Sequence, residues 1–142
     1  MKKLILLIPI FLSIMFFSAS SLAEVAVIVN ANNPINKLSK TEVKRLFLGK
    51  LKRFPGGAKA QPLDLRVGTK ERSTFYSKVV RKSDAQLKSY WSTMIFSGRG
   101  VPPKEFNDVA EAVEWVAKNK NAIAYIPAGA ATSKVKAVFT IN

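Results

Sequence analysis

Val25-Ala-Val-Ile-Val29, framed by Glu24 and Asn30, carries no polar side chain at any position. Successive residues of a strand face opposite sides of a sheet. A segment apolar at every position therefore needs both faces covered. That run restricts the chain to a parallel or mixed sheet lying under helices, and the downstream pattern supplies the helices. Asn30-Ala-Asn-Asn-Pro34 reads as a loop at the strand's C-terminal end, where open α/β sheets hold ligands. Ser39-Lys-Thr-Glu42 is a capping box that opens a helix with Val43, Leu46 and Phe47 on one face, and Gly49 ends it. Lys50 to Gln61, with Pro55-Gly56-Gly57, is a basic loop.

Pro62 to Val80 reads as a short strand (Leu63 and Leu65 alternating with Asp64 and Arg66), a tight turn at Gly68, and a helix. Thr69 can cap that helix, and Phe75, Tyr76, Val79 and Val80 form its apolar face. A strand that feeds a helix through a glycine turn aims free N–H groups and the positive helix end at one point. With Arg66, Lys70 and Arg72 around it, that point suits an oxyanion such as phosphate. The plainer alternative is an ordinary strand-turn-helix connection with solvated basic residues.

Ser83-Asp-Ala-Gln86 is a second capping box, starting a helix with Leu87, Tyr90, Trp91 and Met94 inward and ending near Gly98. Arg99 to Pro103 is a stiff connector. Asn107 or Asp108 caps a third helix with Val109, Ala112, Val113, Trp115 and Val116 inward. Ala122 to Ile126 is a short buried strand, and Ala137 to Ile141 an edge or hairpin strand. The expected class is α/β, a mixed sheet with flanking helices.

Residues 1–23 read as a cleaved signal peptide. Met1-Lys-Lys3 is basic, Leu4 to Phe17 is apolar, and Ser21 and Ala23 stand at −3 and −1 of a cleavage site. The expected location is periplasmic, with residues 24–142 as one domain and no integral membrane segment after cleavage. The chain has no cysteine and no histidine. Disulfides, Cys–His or Ser–His nucleophiles and soft-metal clusters are thereby excluded. No Walker loop or dinucleotide fingerprint occurs, so no enzyme, metal or cofactor is expected.

The formal net charge is +14. From Lys37 to Lys82 there are 14 basic residues against three acids, and from Ser83 onward seven against five. Such asymmetry implies an anionic ligand or partner. Nucleic acid is not expected, because export removes the protein from it and no aromatic-basic interleaving is present. A small oxyanion remains, or an anionic membrane surface, envelope polymer or partner protein.

Val25 to Asn30, Leu38-Ser39 and Leu46-Phe-Leu-Gly-Lys50 resemble the opening of the second lobe of phosphate-binding proteins of ABC importers. Residues 62–80 fall where that family has its Arg-Ser-Asp-Gly-Ser-Gly-Thr-Thr-x-x-Phe phosphate loop. Tyr90-Trp91, Phe96-Ser-Gly98 and Ala122 to Ile126 are similar to its later segments. The resemblance covers almost all of residues 24–142. It implies one lobe of a type 2 periplasmic binding protein, three-layered, binding phosphate or a similar small oxyanion. An ABC importer or another envelope protein is the implied partner. The implied ligand-binding set is Asn30, Arg66, Gly68, Thr69, Lys70 and Arg72. With Phe75 as anchor, Lys70, Glu71 and Arg72 stand where the family has Gly, Thr and Thr, and no first-lobe segment precedes Glu24. The rival expectation is a non-transporting basic module that docks on an anionic partner.

Overall fold

The computed structural model describes residues 24–142; the signal peptide read over residues 1–23 lies outside them. Five strands form one sheet: β1 (Val25–Asn30), β2 (Gln61–Leu65), β3 (Lys104–Phe106), β4 (Ala122–Pro127) and β5 (Val135–Ile141), in the order β3-β2-β4-β1-β5. β2 runs parallel to β3 and β4, whereas β1 is antiparallel to both β4 and β5. The sheet is therefore mixed, and all six residues of β1 are buried, as the apolar run Val25–Val29 requires; Asn30 is buried with it.

Alternation along the strands divides the core into two layers. Val25, Val27 and Val29 of β1 and Ile123 and Tyr125 of β4 pack on one face. They lie against α1 (Lys40–Phe47), α2 (Lys70–Phe75) and the start of α3 (Asp84–Phe96). Ala26, Ile28, Ala124 and Ile126 pack on the other, against Val113 and Val116 of α4 (Val109–Lys118). Helices thus cover both faces, giving three layers. Burying this apolar surface, at about 25 cal/mol per Å², is the principal force holding a chain that has no disulfide.

Local signals set the helix starts. Ser39 and Ser83 both form complete capping boxes, and Asp108, rather than Asn107, caps α4 by accepting from the Glu111 N–H. Ser83→Ala is expected to cost about 1 kcal/mol in a urea unfolding titration, because α3 loses the acceptor for the Gln86 N–H.

Three features differ from the sequence expectation. α2 is only six residues long and continues as a π-helical stretch, Tyr76–Val80, closed by an Arg81 N–H to Tyr76 carbonyl bond of 2.6 Å. The wider turn keeps Phe75, Tyr76, Val79 and Val80 all buried before Arg81 leaves at φ 60°. β3 is an extra edge strand; its Lys104 and Glu105 are exposed, so no alternating apolar pattern announces it. β5 begins at Val135 rather than Ala137; it is an edge strand, the first of the two expected alternatives, and pairs with β1. No helix among the described residues is long and apolar enough to cross a membrane.

Candidate functional site

The Pro62–Val80 segment folds as a strand, a glycine turn and a helix. Arg66 and Thr69 close the turn: the Thr69 N–H and hydroxyl both donate to the Arg66 carbonyl, at 3.4 and 3.1 Å. Gly68 sits in it at φ 96°, a conformation that a Cβ would strain. Thr69 occupies the N-cap position, but no side chain caps the first N–H groups of α2. Arg66, Gly68 and Lys70 are exposed and Glu71 is half-buried.

Arg72 points the other way. Alternation in β2 sends Leu63 toward α4 and leaves Asp64 on the aromatic face, buried rather than solvated. Arg72 Nη1 lies 2.7 Å from Asp64 Oδ2 and donates to the Leu65 carbonyl at 2.8 Å. The Tyr76 hydroxyl donates to Asp64 Oδ2 at 2.7 Å, and the Tyr125 hydroxyl donates to Asp64 Oδ1. The Leu65 N–H donates to both Asp64 Oδ1 and the Tyr125 oxygen, each at 3.0 Å. Phe75 stacks on Tyr125 with ring centres 4.2 Å apart, and the Arg72 guanidinium lies 4.8 Å from the centre of the Tyr76 ring. An internal carboxylate thus occupies the cationic position that the sequence offered to an external anion.

The electrostatics follow from burial. Desolvation pushes the Asp64 carboxyl up, against the pull of the Tyr125 hydroxyl, Arg72, the Tyr76 hydroxyl and the Leu65 N–H. Burial and the Asp64 charge hold the Tyr76 and Tyr125 hydroxyls well above the ordinary tyrosine range. Burial works against the Arg72 charge, but Asp64, Tyr76, Tyr125 and Asp84 together outweigh it. Both tyrosines are therefore fixed as donors, and Arg72 is fixed as a cation with an internal partner.

Asn30 lies elsewhere. Because β1 is antiparallel to its neighbours, the C-terminal end of this strand falls at the edge where β2 and β4 begin. Gly68 follows the end of β2. Asn30 is 5 % exposed, and its amide donates to the Val116 and Ala117 carbonyls at the end of α4, both at 2.9 Å. Its Oδ1 accepts from the Asn32 N–H. The structure thus brings Arg66, Gly68, Thr69 and Lys70 together at one loop, turns Arg72 inward from it, and keeps Asn30 at the far end of the sheet. Sequence reasoning missed the Asp64–Tyr76–Tyr125 network. A lone acid between Leu63 and Leu65, with aromatics in the next helix, was the available signal.

No family model matches the chain, and no curated protein matches it. Solved structures do. One, described as a phosphate ABC transporter substrate-binding protein, comes from Clostridium perfringens and contains bound phosphate. It superposes with a TM-score of 0.66 at 24% identity, over 82% of this chain and 45% of that one. An ABC-type phosphate transport receptor from Vibrio cholerae gives 0.64 at 20% identity, over 82% and 46%. PstS from Borrelia burgdorferi gives 0.55 at 13% identity, over 75% and 42%. The chain spans about half the length of the structures it matches. The likeness read from the sequence is met in three dimensions, and at these identities it establishes the fold: an α/β mixed sheet with flanking helices, the architecture of a single lobe of a periplasmic binding protein.

Proposed function

We propose that this protein is a periplasmic module of the substrate-binding type that holds phosphate or a similar small oxyanion at the Arg66–Lys70 loop. The observation that carries the reading is the uncapped start of α2 behind the Gly68 turn, flanked by the exposed Arg66 and Lys70. Amide donors and two cations suit an oxyanion. The phosphate bound in the Clostridium perfringens structure of the same fold supports this ligand class. Arg72 and Asn30 serve the module as structural groups, since Arg72 pairs with the buried Asp64 and Asn30 spends both amide donors on α4 carbonyls. Delivery to the periplasm rests on the leader read over residues 1–23, and use by an ABC importer or another envelope protein belongs to the same proposal.

A loop open to water on one side gives weak capture. Calorimetry at low ionic strength is expected to show one phosphate bound with Kd near 1 mM, about 4 kcal/mol. Arg66→Ala with Lys70→Ala should weaken it at least tenfold. No binding by the wild type, or unchanged binding by the double variant, contradicts the assignment.

A second reading, docking on an anionic envelope polymer, membrane surface or partner protein, has its own support. Among the described residues, Arg72 alone of the 14 basic residues between Lys37 and Lys82 pairs with an acidic side chain, while Lys78 donates to the Asn142 oxygen at 2.8 Å. The rest add to an uncompensated positive field. Polyanion docking would fall steeply with salt across many partners, whereas one structured site saturates at one equivalent.

A further inference from the structure

A groove of about 660 Å³ opens at the end of the sheet where β2 and β3 begin, remote from the Arg66–Lys70 loop. Its size is that of a small-molecule site. Three elements border it: the 50–60 hairpin, closed by the Arg53–Lys59 bridge; Trp91 of α3; and the proline-rich 99–104 connector. Lys52 ties two of these together by donating to the Arg99 carbonyl at 3.4 Å. The floor is apolar, from the half-buried Leu51 and Pro62 and the edge of Trp91, which is 9 % exposed, over the buried Leu46. Gly49 and Gly100 both line the groove beside the six-membered ring of the Trp91 indole. A Cβ at either glycine would lie 3.4 or 3.9 Å from that ring, so their lack of side chains leaves its edge accessible.

The rim is cationic. Lys52 and Lys59 are exposed and form no ion pair among the described residues. Lys104 also lines the groove, but its ammonium is engaged 3.9 Å over the Trp115 ring and adds field rather than contact. Among the described residues, no carboxylate lines the groove. An apolar floor with an aromatic edge and a one-signed rim fits a molecule that is apolar at one end and anionic at the other. A bare inorganic anion would leave the floor unused, and a neutral hydrocarbon the rim. We propose that this groove binds an anion with a flat apolar body, its ring beside Trp91 and its charge toward Lys52 and Lys59.

The aromatic sulfonate 8-anilinonaphthalene-1-sulfonate and its uncharged analogue N-phenyl-1-naphthylamine are suitable probes, titrated into the native protein by fluorescence. The sulfonate is expected to bind at one equivalent, at least tenfold more tightly than the analogue. Lys52→Glu with Lys59→Glu should weaken it at least tenfold, and Lys59→Glu alone, which breaks no hydrogen bond, severalfold. Lys78→Glu with Arg81→Glu changes the net charge by the same amount elsewhere and should leave sulfonate affinity within twofold. Equal affinity for the two probes, many equivalents of sulfonate, or an equal loss from the Lys78/Arg81 pair would overturn the proposal, because general charge attraction would then explain the binding.

Discussion

Asp64→Ala is expected to lower stability by about 3–5 kcal/mol, the cost of removing one partner from a buried ion pair, and Tm by roughly 10 °C or more. The loss is large because four donors converge on one carboxylate: Arg72, Tyr76, Tyr125 and the Leu65 N–H. Deletion leaves a cation with an 11 % exposed side chain facing no nearby anion except Asp84, whose carboxylate is 3.7 Å away and largely in water. The cause can be separated from loss of packing. Combining Asp64→Ala with Arg72→Met removes the orphaned charge and should recover at least 1 kcal/mol of the deficit. If the double variant is as unstable as the sum of its parts, the pair is not the source of the effect.

The second large effect appears in alkali. Tyr76 and Tyr125 have hydroxyl pKa values raised in the folded protein by burial and by the Asp64 charge, whereas the unfolded chain ionises near pH 10. A group raised on folding keeps its full contribution below its unfolded value and loses it as pH rises beyond. Above pH 10 each tyrosine therefore removes about 1.4 kcal/mol per pH unit, and the pair about 2.7. The protein has three tyrosines. The third, Tyr90, is raised only by partial burial, and its hydroxyl donates to the Leu48 carbonyl at 2.6 Å. The near-ultraviolet phenolate signal should show Tyr90 ionising while circular dichroism is still native. Tyr76 and Tyr125 should ionise together with unfolding. Three independent ionisations with the fold intact would mean that the two hydroxyls are not donors to a buried carboxylate.

What could be read from the sequence was local, and what escaped it depended on distant partners. The caps at Ser39, Ser83 and Asp108 act within three residues, so their patterns identified the helix starts. The apolar run of β1 demanded cover on both faces, and the fold provides it. Its direction was not legible. Nothing in Val25–Asn30 distinguishes a parallel from an antiparallel neighbour, and the antiparallel choice sends Asn30 to the end remote from Gly68. The fate of Arg72 was hidden for a similar reason. Its spacing from Gly68 suited an external anion. The group that holds Asp64 in place comes from Tyr125, 61 residues away, and only the assembled sheet joins them. β3 left no trace because its role is to pair with β2 while two of its three side chains stay in water.

This division gives the glycine loop two different sides. Inward, Arg72 and Asp64 neutralise one another and fasten α2 to β2. Outward, Arg66 and Lys70 flank the start of α2, whose first N–H groups no side chain caps. On the proposed reading, phosphate meets the second side alone. Phosphate titration followed by amide and guanidinium resonances in heteronuclear NMR tests that separation directly. Saturable shifts confined to the backbone amides of residues 66–72, with the Arg72 side-chain signal unmoved, are the predicted result. An Arg72 guanidinium that shifts with phosphate, or loop amides that do not respond at all, would contradict it.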